Sequence, residues 1–117
     1  MADILRTGTT RRWSDTVAYG GLLFLCEVPA DTAGDIVAQA RQVLAQLDAQ
    51  LTAAGSGRGR ILNATIYLPD PADLAAFNAV WDEWIPSGTA PVRACLHAPL
   101  TDPAMRIEIQ MVAAAGG

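Results

Sequence analysis

Ile61-Leu62-Asn63-Ala64-Thr65-Ile66-Tyr67-Leu68 runs, across one proline, into Asp70-Pro71-Ala72-Asp73-Leu74, and Val92-Arg93-Ala94-Cys95-Leu96-His97 follows beyond Pro86 and Gly88. The first segment is rich in residues that fit a pleated surface and predicts a strand. Asp70 supplies an N-cap oxygen, Pro71 suits the first helical position, and Asp73 complements the helix dipole in the first turn. Leu74, Phe77, Trp81 and Trp84 then recur at helical spacing. The stretch is therefore strand, helix, strand.

Upstream, Thr16–Tyr19 and Leu22–Val28 are parted by Gly20-Gly21 and predict a hairpin. Pro29 and Gly34 close it. From Asp35 the period changes: Ile36, Ala40, Val43, Leu44, Leu47 and Leu51 form one helical face, and Gly55 is a natural stop. Ser56–Arg60 is a loop. Downstream, Met105–Ala113 predicts a last strand. The order β-β-α-β-α-β-β implies an α+β domain, a mixed sheet with two helices packed on one face.

Alternation along the strands divides their side chains into two sets. Leu62, Ala64, Ile66 and Leu68, Val92, Ala94 and Leu96, and Ile107, Ile109 and Met111 are apolar and are expected to meet the helices. Asn63, Thr65 and Tyr67, Arg93, Cys95 and His97, and Arg106, Glu108 and Gln110 are expected on a polar opposite face. Such a face is either wet or packed against further copies of the chain.

With 117 residues, the chain has room for a single domain, 1–117. Apolar residues make up 51% and charged ones 17%, so part of the surface is expected to be covered by another subunit. The net charge is -4, all eight cationic residues are arginine, and there is no basic stripe with aromatics beside it, which argues against a nucleic-acid partner. The uncharged run from Val17 up to Glu27 falls well short of the roughly 20 residues a membrane span needs. Met1–Arg6 has no secretory pattern, so a cytoplasmic location with Cys26 and Cys95 as free thiols is the expectation. His97 is the only histidine and no metal-ligand spacing occurs, so no metal is expected.

Arg93 and Glu108 are the residues with chemistry to offer. Arginine presents a planar fork that matches a carboxylate, and a glutamate can hold or activate water. Read alone, the two are most simply a cross-strand ion pair, contributing about 0 to 1 kcal/mol if exposed. Cys95, two residues beyond Arg93, suggests a nucleophile, but no motif partner stands ready to lower its pKa, and the stronger reading is a buried small residue. His97 is either a base at neutral pH or a satisfied, solvated side chain, the second being favoured.

Pro91-Val92-Arg93-Ala94-Cys95, the later Ile107-Glu108-Ile109, Arg12-Trp13-Ser14-Asp15 near the start and Asn63–Leu68 together resemble the RidA (YjgF) family of enamine/imine deaminases, from about Arg12 to Ala114. The resemblance implies a chorismate-mutase-like fold and homotrimers around a central barrel, with a site at each subunit boundary. It implies hydrolysis of 2-imino acids, formed from enamines such as 2-aminoacrylate, to 2-keto acids and ammonia. That is the reaction of a 2-iminobutanoate/2-iminopropanoate deaminase, a hydrolase acting on C–N bonds, with no cofactor. Arg93 matches the arginine that holds the substrate carboxylate, Glu108 the glutamate linked to the attacking water, and Cys95 a pocket-lining cysteine.

Asn78 matches an asparagine frequent in relatives, and either fixes a backbone group or touches the pocket. Trp13 belongs to a subgroup carrying Arg-Trp-Ser-Asp, and either walls the pocket or caps the core. The chain departs from the family at Leu25-Cys26-Glu27, where relatives tend to have Ser-Gly or Thr-Gly before the Val-Pro. An inward Glu27 would repel a carboxylate. The expected partners are a small imino or keto acid and further copies of the chain, with no nucleic acid or membrane. The alternative function is a non-catalytic module that binds a keto acid or another small carboxylate in the same intersubunit pocket.

Overall fold

The computed structural model describes residues 3–116. Its elements are β1 (Leu5–Thr7), β2 (Thr16–Tyr19), β3 (Leu22–Glu27), α1 (Ile36–Ala53), β4 (Ile61–Leu68), α2 (Leu74–Trp84), β5 (Val92–His97) and β6 (Glu108–Ala114). The six strands form one sheet in the order β1-β2-β3-β6-β4-β5. Only β4 and β5 pair in parallel; the other neighbours are antiparallel. Gly20 and Gly21, at φ 59° and 82°, make the β2–β3 turn, a two-residue connection whose twist matches that of the strands it joins.

Both helices cover one face of the sheet. Ile36, Ala40, Val43, Leu44, Leu47 and Leu51 of α1 and Phe77, Val80 and Trp81 of α2 close over Leu23, Leu25, Ala64, Ile66, Leu68, Ile109 and Met111. Asp35 caps α1, its Oδ1 accepting from Ala38 N at 2.9 Å, and the chain leaves the helix at Ala54 and turns through Gly55 at φ 74°. Asp70 caps as expected, accepting from Ala72 N at 2.9 Å. Residues Pro71–Asp73, however, form a 3₁₀ turn, and the α-helix proper begins at Leu74.

Several expectations are corrected. β1 was not foreseen; three residues with no apolar pattern join the edge of the sheet by pairing with β2. β6 begins at Glu108 rather than Met105, because Arg106 N donates to Gln39 Oε1 at 2.7 Å and Met105 N to Asp102 O at 3.0 Å, so neither joins a ladder. Leu62 is not in the core: a register irregularity between Ile61 and Asn63 shifts the alternation, leaving Ile61 buried and Leu62 48% exposed.

The largest correction concerns β5. Its parallel register sets Ala64 beside Arg93 and Ile66 beside Cys95, so Arg93, Cys95 and His97 share the helix face with the buried alanine and isoleucine. Val92, Ala94 and Leu96, expected in the core, are exposed on the other side, Val92 by 75%. Arg106 also leaves the predicted polar set, turning to Asp73, which its Nε and Nη2 grip at 2.9–3.1 Å. The open face is therefore mixed: Thr65, Tyr67, Glu108 and Gln110 in the middle, with exposed Tyr19, Leu22 and Phe24 on one flank and Val92 and Leu96 on the other.

The shifted alternation is testable by urea unfolding at fixed protein concentration. Ile66→Ala should remove about 2–5 kcal/mol of stability, whereas Leu62→Ala should change it by no more than about 0.5 kcal/mol.

Candidate active site in two halves

Arg93 sits on the edge strand with its guanidinium 5.5 Å from the Phe77 ring centroid and 5.3 Å from that of Trp81. Phe77 and Trp81 are one helical turn apart on α2, so both rings present to the same point. Each such contact contributes about 0.5–2 kcal/mol depending on solvation. Asn78, next to Phe77, accepts from Arg93 Nη2 at 2.6 Å. Among the described residues Arg93 has no carboxylate partner. One of its five N–H donors is held by a neutral amide and the rest of the fork is free for an anion.

Cys95 lies on the same face, half-buried against the core. Burial raises its thiol pKa, and the pull of Arg93 only partly opposes that, so it remains a thiol at neutral pH and carries no nucleophile signature. His97 is exposed, its Nδ1 3.4 Å from Leu68 O.

Glu108 stands on the opposite face. It pairs in register with Tyr67, while Ile66 pairs with Ile109, so the first residue of β6 points away from the helices. One protomer therefore does not bring Arg93 and Glu108 together, and neither the cross-strand pair nor the shared face expected from alternation exists. Alternation relates residues within a strand, whereas the relation between strands depends on register.

Glu108 lines a cleft of about 710 Å³ with Trp13, Cys26, Val28, Pro29 and Met105. Cys26 Sγ donates to Glu108 Oε2 at 3.8 Å. Cys26 is exposed at the cleft mouth, but partial desolvation of its sulfur, then the charge of Glu108 and this hydrogen bond, push the thiol up to about 12, so it stays protonated and remains a donor to the carboxylate. Trp13 is 61% exposed on the cleft wall, which excludes a core-capping role. Its turn is tied by Thr10, whose Oγ1 accepts from both Arg12 N and Trp13 N at 3.2 Å.

The acidic departure at Glu27 is disarmed. Its carboxylate accepts from Gln46 Nε2 at 2.5 Å and Gln50 Nε2 at 2.6 Å, which turns it toward α1. These two belong to a stripe, Gln39, Gln42, Gln46 and Gln50, that stitches the cleft's loops to the helix. Gln46 also bonds Val28 O and Ala30 N, and Gln42 both the N and O of Asp31. Gln39, 0% exposed, joins two loops: Thr32 O, Gly34 O and Ala104 O share the two N–H donors of its Nε2 at 3.0–3.1 Å, and its Oε1 accepts from Arg106 N. Sequence reasoning passed over these glutamines; their signal was recurrence at 39, 42, 46 and 50, along one side of a helix.

Residues 4–115 match the family model described as endoribonuclease L-PSP. The chain is 42% identical over 111 residues to the RutC family protein YoaB of Escherichia coli K12, covering 95% of this chain and 97% of that one. A crystal structure of a YjgF family member from Neisseria meningitidis superposes with a TM-score of 0.91 at 43% identity, over 97% of this chain and 95% of the other. A protein from Pseudomonas aeruginosa superposes with a TM-score of 0.94 at 39% identity, over 97% and 99%.

Two measurements check this geometry. At pH 8 Cys26 should react with iodoacetamide at least about tenfold more slowly than an unperturbed cysteine, and Glu108→Gln should speed it, as read by peptide mass spectrometry. Gln39→Leu leaves Arg106 N and Ala104 O without their partner and should cost about 1–3 kcal/mol or more in urea unfolding.

Proposed function

Because this chain belongs to the RidA (YjgF) family, we propose that it hydrolyses reactive 2-imino acids to 2-keto acids and ammonia at sites assembled between subunits. Each site combines Arg93 of one protomer with Glu108 of the next. The observation that carries this reading is the fork of Arg93, held by two rings and an amide yet meeting no carboxylate among the described residues of its own chain. The Glu108 cleft is its complement, since among the described residues no arginine or histidine lines it. Exposed Tyr19, Leu22, Phe24, Val92 and Leu96 give the open face the apolar area a subunit contact needs. The family's trimeric barrel supplies the arrangement.

The chemistry asks little of the protein. Arg93 grips the substrate carboxylate bidentately, leaving the imine carbon at the boundary with the cleft. Glu108 orients a water about 3 Å from that carbon and takes a proton as the C–O bond forms. Glu108 returns that proton to nitrogen, and as the C–N bond of the tetrahedral adduct breaks the carboxylate takes the hydroxyl proton, so that ammonia leaves and the ketone remains. Protonated imines are electrophilic enough to need no further activation. Asn78 holds the fork, and Cys26 hydrogen-bonds the carboxylate throughout.

The assay generates 2-iminopropanoate or 2-iminobutanoate with an amino-acid oxidase and follows competition between semicarbazide trapping and hydrolysis. Arg93→Ala should lose about 2–5 kcal/mol of transition-state binding, since a substrate charge would be left unpaired, and Glu108→Gln should lower kcat more than it raises KM. Co-expressing the two variants should restore part of the activity, because a mixed assembly holds boundaries with both native groups. Failure of complementation between individually folded variants would sink the intersubunit site. A rise in Tm with keto acids, without acceleration, would instead mark a binding module.

A further inference from the structure

The walls of the Glu108 cleft narrow the substrate class, an inference that rests on the imine-hydrolysis reading above. The cleft measures about 710 Å³ in one protomer, before a neighbour closes it, and Trp13, Val28, Pro29, Ala30 and Met105 give its walls carbon surface. Its ionisable groups other than the Cys26 thiol are all carboxylates: Asp15, Glu27, Asp102 and Glu108. An acidic side chain would thus enter a cleft of its own sign, where the neighbour's arginine is already taken by the substrate's first carboxylate. Of the cleft's carboxylates, Glu27 is held by Gln46 and Gln50, which turn it toward α1, and Asp102 Oδ1 accepts from Ala104 N at 2.9 Å. Glu108 is needed for water.

We propose that the preferred substrates are 2-imino acids with a large uncharged apolar side chain, laid against Trp13, and that small and dicarboxylic imines are poor ones. A methylene placed in an apolar pocket changes kcat/KM by about tenfold or more, and the exposed indole offers a broad apolar face at little conformational cost.

The full-length wild-type protein is assayed by semicarbazide competition on imines generated from leucine, phenylalanine and alanine with L-amino-acid oxidase, and on iminosuccinate from aspartate oxidase. The leucine and phenylalanine imines should show kcat/KM at least about tenfold above the alanine imine, with iminosuccinate lowest. Trp13→Ala should lower the leucine-to-alanine ratio by about tenfold, and Trp13→Phe should keep most of it. Equal rates, or a preference for the alanine or aspartate imine, would overturn the proposal while leaving imine hydrolysis standing. Acceleration of no imine at all would overturn both.

Discussion

The parallel register that sets Ala64 beside Arg93 is the constraint on which the site depends. Side chains in register on neighbouring strands point to one side, so a buried alanine under α2 commits the arginine to that side as well. Displacing β5 by one residue would turn the fork to the open face and bring Val92, Ala94 and Leu96 under the helix. That alternative would bury more carbon. It would also forfeit the two ring contacts and the Asn78 hydrogen bond, and it would cover much of the apolar edge now left exposed. A lone domain gains by hiding that edge; a subunit gains by presenting it.

On the same face of the sheet, α1 performs two tasks with one period. Its apolar face seals the core, while its glutamine stripe holds the loops after β3 and before β6. Amides suit this place better than charges, because each carries donors and an acceptor and buries no net charge. The Arg106 pair with Asp73 adds a second tether just before β6 starts. Glu108 therefore enters the sheet from a fastened loop, and the cleft beside it has walls anchored in the core.

How far the sequence could be read depended on whether the cue was local. The glycine hairpin, the cap at Asp70 and the stop at Gly55 are written in residues that act on their own backbone, and each stands where it was expected. β1 and the start of β6 were not legible, because a three-residue edge strand has no pattern of its own and Arg106 is diverted by a glutamine 67 positions away. Leu62 was misassigned by the register irregularity at the start of β4, which breaks the alternation a reader must assume. Arg93, Glu108, Asn78 and Trp13 were legible as candidates through the family motifs, and Cys26 only as a departure from them.

By itself the sequence determined the α+β class, the two helices on one face, the family and the two groups with chemistry to offer, since these rest on period, capping and motif, which act over a few residues. Tertiary structure alone decided that Arg93 and Glu108 occupy opposite faces, that Glu27 is turned toward α1, and that Cys26 touches the carboxylate. The reason is physical: each of those outcomes follows from which strand or helix lies beside which, and in what register, and that is decided by long-range packing.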